Sequence, residues 1–414
     1  MPNTSNANPI NRVVLTRLNK LFASYVEGSE GWIYAAQAEY KPLDIFHRLF
    51  QAVAENSSVE DVCTDFSGCS PDVVQDRINP LEFEQTVHQI NQCLQDVASS
   101  FLFHGNQIIT LAIDITDKEF YGNKEHELSK GSKPKNGTCY FNRYFTASLI
   151  SPKFRVPVYF RPLRKQDSAS PEVLFQEMWN LLRSWLPVER ILGDGYFYSQ
   201  EVIESCDFYG FDYLLNMTEY PWVKEKIAQI RQMLERMAHA VGVDPTNIRA
   251  FWYWLGRQGL RTWKFPNQAV EPSSRPSEIV LRLKLQTKKT KPGAVHEKLV
   301  FFSYVTNIQA SGTYLETLYG SKWGIETGYR VQNQFRAYTT SQSTSMRIWL
   351  MGLGFVVMAL WLFLNLRLNR FHEQLTPNEF FREPFRVYRT DQLVLIVKKF
   401  LRQLQDLWRY PEVI

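Results

Sequence analysis

Cysteine is scarce in this sequence: there are five among 414 residues (Cys63, Cys69, Cys93, Cys139 and Cys206), with no CxxC pair and no Cys/His group at zinc-ligand spacing. That excludes a disulfide-stapled scaffold and a zinc module. The odd number, with the polar stretch MPNTSNANPINR where a signal peptide would stand, implies a reducing cytoplasm. No segment repeats at a fixed period, so a solenoid or propeller is excluded. Acidic residues thin out after position 120: 124–165 holds 2 against 10 basic ones, and 217–318 holds 8 against 15. Residues 1–113 are the reverse, with 13 acidic and 6 basic. The basic part points to a polyanion partner, a solvated lysine-rich surface being the alternative. Long apolar runs are missing too, apart from the 17 uncharged residues 348–364 (IWLMGLGFVVMALWLFL) between Arg347 and Arg367. At about 1.5 Å per residue these fall just short of a ~30 Å hydrocarbon core. A short membrane span and a helix buried on all sides share this composition, and the buried helix is the expectation. What is present, 44% hydrophobic and 14% aromatic residues, describes a globular chain with a sizeable core and more than one domain.

Apolar residues at three-to-four spacing predict helices in 10–26 and 42–56. The stretch 57–79 reads as a Ser-capped short helix, a turn, and a second helix opened by Ser70-Pro71. That is the outline of a helix-turn-helix, but Asp72 and Asp76 beside Arg77 make a poor phosphate face, so a plain helical bundle is the alternative. From 107 the period shortens. QIITLAIDIT reads as a strand ending at Asp114, TCYFNRYFTASLI and FRVPVYFRPL as a hairpin, and SPEVLFQEMWNLLRSWL as a helix. A strand VERILGD, a helix stopped by Gly210 and a strand FDYLLNMT follow. Such an order predicts a mixed sheet flanked by helices. Residues 217–318 read as an inserted region, helical and basic at first, then rich in tryptophan, then a β pair.

Two aspartates stand where apolar strands give way to loop residues: Asp114, and Asp194 in ILGDGYFYS, between Gly193 and Gly195. A single strand-end aspartate is commonly a turn or cap residue, and Asp117 and Asp212 read that way. Here the strand order makes the two strands neighbours. Carboxylates held that close repel unless a proton or cation intervenes, and magnesium takes one or two carboxylates together with phosphate oxygens. The flanking glycines read as room for metal and phosphate. On a helix over 319–336, Tyr319, Lys322, Glu326, Tyr329, Arg330 and Asn333 share a face. One acid among cations suits a metal-and-phosphate site, and a Glu326–Arg330 surface pair is the alternative.

The stretches AIDIT, ILGDGYFYS and YGSKWGIETGYRVQN resemble the DDE transposases of prokaryotic insertion sequences, in the group with a Tyr-Arg-Glu-Lys signature around the last acidic residue. The resemblance spans about 107–365, and the 131 residues between Asp194 and Glu326 fit that family's insertion. It implies an α/β fold, an RNase H-like mixed sheet with flanking helices. An N-terminal helical domain (1–104) would precede a catalytic domain in two parts (105–216 and 313–370), with an α+β insertion (217–312) before the last catalytic acid and an amphipathic helical tail (371–414). It further implies that Asp114, Asp194 and Glu326 are the catalytic triad and bind two Mg2+ or Mn2+ ions, with no small-molecule cofactor. The activity implied is cleavage at transposon ends and strand transfer, by a homodimer on double-stranded DNA in a prokaryotic cytoplasm. Tyr319, Lys322, Arg330 and Asn333 would contact DNA from the signature helix, and Lys133, Lys135, Arg143 and the run Lys284–Lys291 from basic surface. Trp252 or Trp254 would hold a flipped base, core packing being the alternative. Two positions depart from the signature: Lys322 stands at its arginine and Asn333 at its lysine, which leaves Arg330 or Arg336 to supply the missing charge. An RNase H-like nuclease that cuts without transposing remains the enzymatic alternative, and a DNA-binding or membrane-anchored protein with a decayed site the non-enzymatic one.

Overall fold

The computed structural model describes residues 40, 42–65, 69–99, 108–151, 155–167, 170–217, 220–267, 276–289 and 295–371. The helix expected over 10–26 and residues 372–414 of the C-terminal tail lie outside these.

The described residues open with four helices: α1 (Pro42–Ala54), α2 (Val59–Asp65), α3 (Pro71–Ile78) and α4 (Phe83–Ala98). Ser70 caps α3 by accepting from the Val73 amide, with Pro71 in the first turn, as the sequence predicts. Val74 and Ile78 of α3 are buried. The strands β1 (Thr110–Phe120), β2 (Ser129–Lys135), β3 (Thr138–Ile150) and β4 (Arg155–Pro162) follow, then helix α5 (Pro171–Leu182) and β5 (Arg190–Gly193). Next come α6 (Gln200–Tyr209), β6 (Asp212–Asn216), α7 (Pro221–Ala240), α8 (Ile248–Arg257), β7 (Thr262–Pro266), β8 (Glu278–Lys289) and β9 (Val295–Thr306). Two long helices complete the described chain, α9 (Gly312–Gln332) and α10 (Thr344–Phe371).

All nine strands form one sheet, in the order β2-β3-β1-β5-β6-β9-β8-β7, with β4 on β3. Its centre, β4-β3-β1-β5-β6, is an antiparallel hairpin followed by strands parallel to β1. This is an RNase H-like mixed sheet. The insertion extends that sheet, because β9 pairs antiparallel with β6. Two sequence readings change. The strand carrying Asp114 does not stop there: it runs six residues further, to Phe120, because it keeps β3 as a partner after β5 has ended. The basic segment read as a loop contains β2, which returns into β3 through Asn136 and Gly137, both at positive φ (51° and 82°). A two-residue Asn-Gly connection of this kind is the strongest local hairpin signal a sequence carries.

One sheet face, with Leu111, Ile113, Ile191, Tyr213 and Leu215, is covered by α5 and α6. The other carries α9, and α10 lies against β4, α1 and α4. Of the apolar stretch in α10, 89% is buried, which accounts for its membrane-like composition by core packing. Trp349 is among the largest fully buried side chains. At Gly352 the helices meet so closely that a Cβ would stand 2.5 Å from Ile90 Cδ1 and 2.7 Å from Ile90 Cγ2. Ile90 is β-branched and cannot turn away cheaply. Gly352→Val is therefore expected to destabilise the protein by about 1–3 kcal/mol, read as a lower urea midpoint. An unchanged midpoint would show that α10 does not dock on α4 through this contact.

Candidate active site

The geometry of the site follows from one register. β1 and β5 run parallel, with Ile113 paired to Gly193, and the pairing ends there. The next residue on each strand is an aspartate, so Asp114 and Asp194 sit side by side across a strand spacing of about 4.8 Å. Asp114 stays within the extended β1, whereas Asp194 leaves its strand and caps the 3-10 turn Gly195–Phe197, accepting from the Tyr196 amide at 3.0 Å. Gly193 has a different role from the one the sequence suggested. A Cβ there would lie 2.7 Å from Leu215 Cδ2, so its smallness serves the packing against β6 rather than the approach of a ligand.

Helix α9 lies over these strand ends and supplies the remaining groups. Lys322 donates to Asp114 Oδ1 at 2.9 Å, and both side chains are nearly closed to solvent (8% and 11% exposed). Tyr329, two helical turns on, places its hydroxyl 2.6 Å from Thr146 Oγ1 and also hydrogen-bonds Asp114. Burial, then the Asp114 charge, raises the Tyr329 phenol well above its ordinary pKa, so it is a neutral donor. Burial, then the neighbouring Asp114 charge, raises Asp194 to about 6, with Lys322 pulling the other way. Glu326 lies on α9 between Lys322 and Tyr329, the two residues that touch Asp114. Its side chain lies outside the described residues. Among those residues, no three His, Cys, Asp or Glu side chains gather into a metal-binding group.

The donors nevertheless suit a hard divalent cation. Two crowded carboxylates offer only oxygen, one has a raised pKa, and the ammonium of Lys322 already occupies a cation position on Asp114.

The other residues singled out from the sequence are spread more widely. Tyr319 packs on Tyr304 of β9 (ring centroids 4.9 Å apart). Arg330 is exposed on α9, and Asn333, just past the helix, accepts a hydrogen bond from Lys118 of β1. Arg143 is held by Asp117 through two hydrogen bonds, at 2.7 and 2.9 Å. Lys133 and Lys135 are exposed on β2, with Lys135 3.9 Å from Glu119. Lys284 pairs with Glu316 at 3.0 Å, and the side chains of Lys288 and Lys289, like Lys291, lie outside the described residues. Trp252 lies under the Arg261 guanidinium, 3.5 Å from ring centroid to Cζ, and Trp254 stacks on Phe251. Both indoles are thus engaged within the insertion, and the open ring on α8 is Tyr253, 68% exposed. Sequence reasoning passed over two contributors, Thr146 and Lys118. Both lie on the Asp114 face of the β1–β3 pair, a relation visible only once the register is known.

With this geometry in place, comparison with known proteins is informative. No protein-family model matches the sequence, and no curated protein matches it. A solved structure does. It is the piggyBac transposase in its synaptic complex with hairpin DNA, with a TM-score of 0.52 and 11% identity over 95% of this chain and 81% of that one. The fold is similar to that of a transposase.

The acid pair makes a signed prediction. A carboxyl whose folded pKa of about 6 exceeds its unfolded value of about 3.9 favours folding at low pH. That contribution is lost as pH rises through 6, on the order of 2 kcal/mol. Asp194→Asn should therefore raise the metal-free thermal midpoint at pH 7 but not near pH 3.5. Equal shifts at both pH values would contradict the raised pKa.

Proposed function

We propose that the protein is a DNA transposase of the DDE type that cuts at the ends of a prokaryotic mobile element and joins them to target DNA. The observation that carries this reading is the Asp114–Asp194 pair, set at the matching ends of two central parallel strands and facing the helix that carries Glu326. The likeness in fold to a transposase supports it. Strand ends of this kind are where open α/β sheets bind ligands.

In this reading Asp114, Asp194 and Glu326 hold two magnesium or manganese ions. Bound there, the ions supply Lewis-acid chemistry for in-line displacement at phosphorus. The chain's own groups prepare the site. Tyr329 and Lys322 fix the Asp114 carboxylate from two sides, so its position does not depend on solvent. Below about pH 6 a cation would have to displace the Asp194 proton, which would link metal affinity to pH. Lys322 balances the acids meanwhile and, as DNA enters, is free to turn its charge toward a phosphate. The exposed Lys133 and Lys135 extend a cationic track along β2 for the DNA backbone. Two copies, each holding one end, would act on the paired termini in the cytoplasm. Water would hydrolyse a phosphodiester at each end to leave a free 3′-hydroxyl, and that hydroxyl would then displace the 3′-oxygen of a target phosphodiester, so that one such bond forms as another breaks.

The test begins by looking for inverted termini in the DNA on either side of the gene, and uses DNA carrying them with a target plasmid and Mg2+ or Mn2+. The full chain should give cut ends and joined products, and a chelator should stop both. Asp194→Asn should lower cleavage by at least about a thousandfold, a barrier increase of about 4 kcal/mol, while still binding the ends in a gel-shift assay. Cleavage by Asp194→Asn at the normal rate would falsify the assignment. Cut ends without joined products would assign the protein to the nuclease alternative.

A further inference from the structure

Lys118 is a lysine in an unusual position. It lies four residues beyond Asp114 on the same face of β1, about 13 Å along the strand at ~3.3 Å per residue. Only 8% of it is exposed. Its ammonium donates to Asn333 Oδ1, which is a neutral partner. The charges that face it are mostly of its own sign. Arg336, just after the 3-10 turn Asn333–Phe335, and Lys135 of β2 repel it, and among the described residues Glu119 alone attracts it.

Arg347 of α10 adds a further cation. Its guanidinium lies 4.7 Å from the centroid of the Phe120 ring. Its Nε is buried with no hydrogen-bond partner among the described residues. Arg336 and Arg347 also repel one another. Of the other titratable groups around them, Tyr144 of β3 and His126 bring no negative charge at neutral pH, and Glu127, beside His126, is engaged by Thr344 at 3.1 Å and by Arg164 at 3.7 Å. Glu119 is already shared with Asn136 and Lys135. Buried Lys118, half-buried Arg336 and exposed Lys135 share one close carboxylate, Glu119, and the excess of positive charge they hold with Arg347 makes sense when an anion arrives from outside. The cluster has a way in, since Asn333 and Lys135 are both exposed.

We propose that Lys118, Arg336 and Arg347 form an anion site that takes a phosphate of the DNA backbone, on the strand whose reacting phosphate lies at the Asp114–Asp194 pair. That the phosphate belongs to DNA rests on the function proposed above. The cation site itself rests on the side chains alone. Lys118 reaches the phosphate by exchanging the Asn333 carbonyl for a phosphate oxygen, and Arg336 approaches from the solvent side.

The experiment is done without metal, in chelator, so that it stands apart from any cleavage. Thermal midpoints are measured with and without inorganic phosphate, and affinity for a random-sequence DNA duplex is followed against salt. Lys118→Met should raise the phosphate-free midpoint, because it removes a buried cation from among like charges, and should abolish the stabilisation by phosphate. It should weaken duplex binding about tenfold near 0.1 M salt and reduce the salt slope by about 1. Arg336→Gln, at a half-buried position, should reduce the slope likewise, and serves if Lys118→Met fails to fold. Lys118→Arg should behave like the parent. An unchanged slope in the folded variants overturns the proposal, whatever the midpoints do. Stabilisation by phosphate with unaltered duplex binding also overturns it, and would assign the cluster to free phosphate. A failure of the transposase reading would look different: loss of cleavage products with the Lys118-dependent slope intact.

Discussion

Two carboxylates placed side by side repel, and holding Asp114 next to Asp194 is the constraint on which the rest of this structure depends. The parallel pairing of β1 and β5 forces the neighbourhood. A proton on Asp194 below about pH 6, and at neutral pH the Lys322 ammonium and the Tyr329 hydroxyl, relieve it. Each of the last two comes from α9, so the helix cannot slide along the sheet without releasing the acids. Small apolar contacts fix its position: Leu315 and Ile325 are buried with Ala112, Leu192 and Leu214 on the same sheet face.

The insertion takes part in the same arrangement. Because β9 is hydrogen-bonded to β6, the apolar layer beneath α9 continues onto Val280 and Tyr304. Tyr319 rests on Tyr304, and Arg282 and Lys284 of β8 bind Glu316 at the start of the same helix. The helix carrying Glu326 is thus seated partly on strands that lie, in sequence, between the two aspartates and itself. The insertion supports the site it interrupts.

Much of this was legible in the sequence, for physical reasons that differ from residue to residue. Asp194 was legible because a charge ending a short apolar run has few explanations, and Ser70 and Ser170 announced helix starts, as Gly210 announced a helix stop, by local chemistry. The length of β1 was not, because residues 115–120 alternate charged and apolar side chains and are held by a partner 26 residues away at Asp117–Arg143. Lys133 and Lys135 looked like loop residues because β2 is an exposed edge whose side chains report solvent, not pairing. Lys118 was invisible for the opposite reason: nothing local distinguishes a buried lysine from a solvated one, and its surroundings come from α10 and the turn after α9. Trp252 and Trp254 show the limit of composition. Their number suggested a ligand, but Arg261 and Phe251 occupy their faces.

The position of α10 has a consequence for how the chain is made. Its partners α1 and α4 lie near the start of the sequence, so some 250 residues separate the two sides of one apolar interface. During synthesis the early helices leave the ribosome with their greasy faces bare, and they stay bare until almost the entire chain has followed. Contacts this distant in sequence slow folding and prolong the exposure of sticky intermediates. The nascent protein therefore has an interval of vulnerability that closes only with the arrival of α10, and an incomplete chain ending before that helix would leave a hydrophobic groove on offer to chaperones, proteases or other incomplete chains.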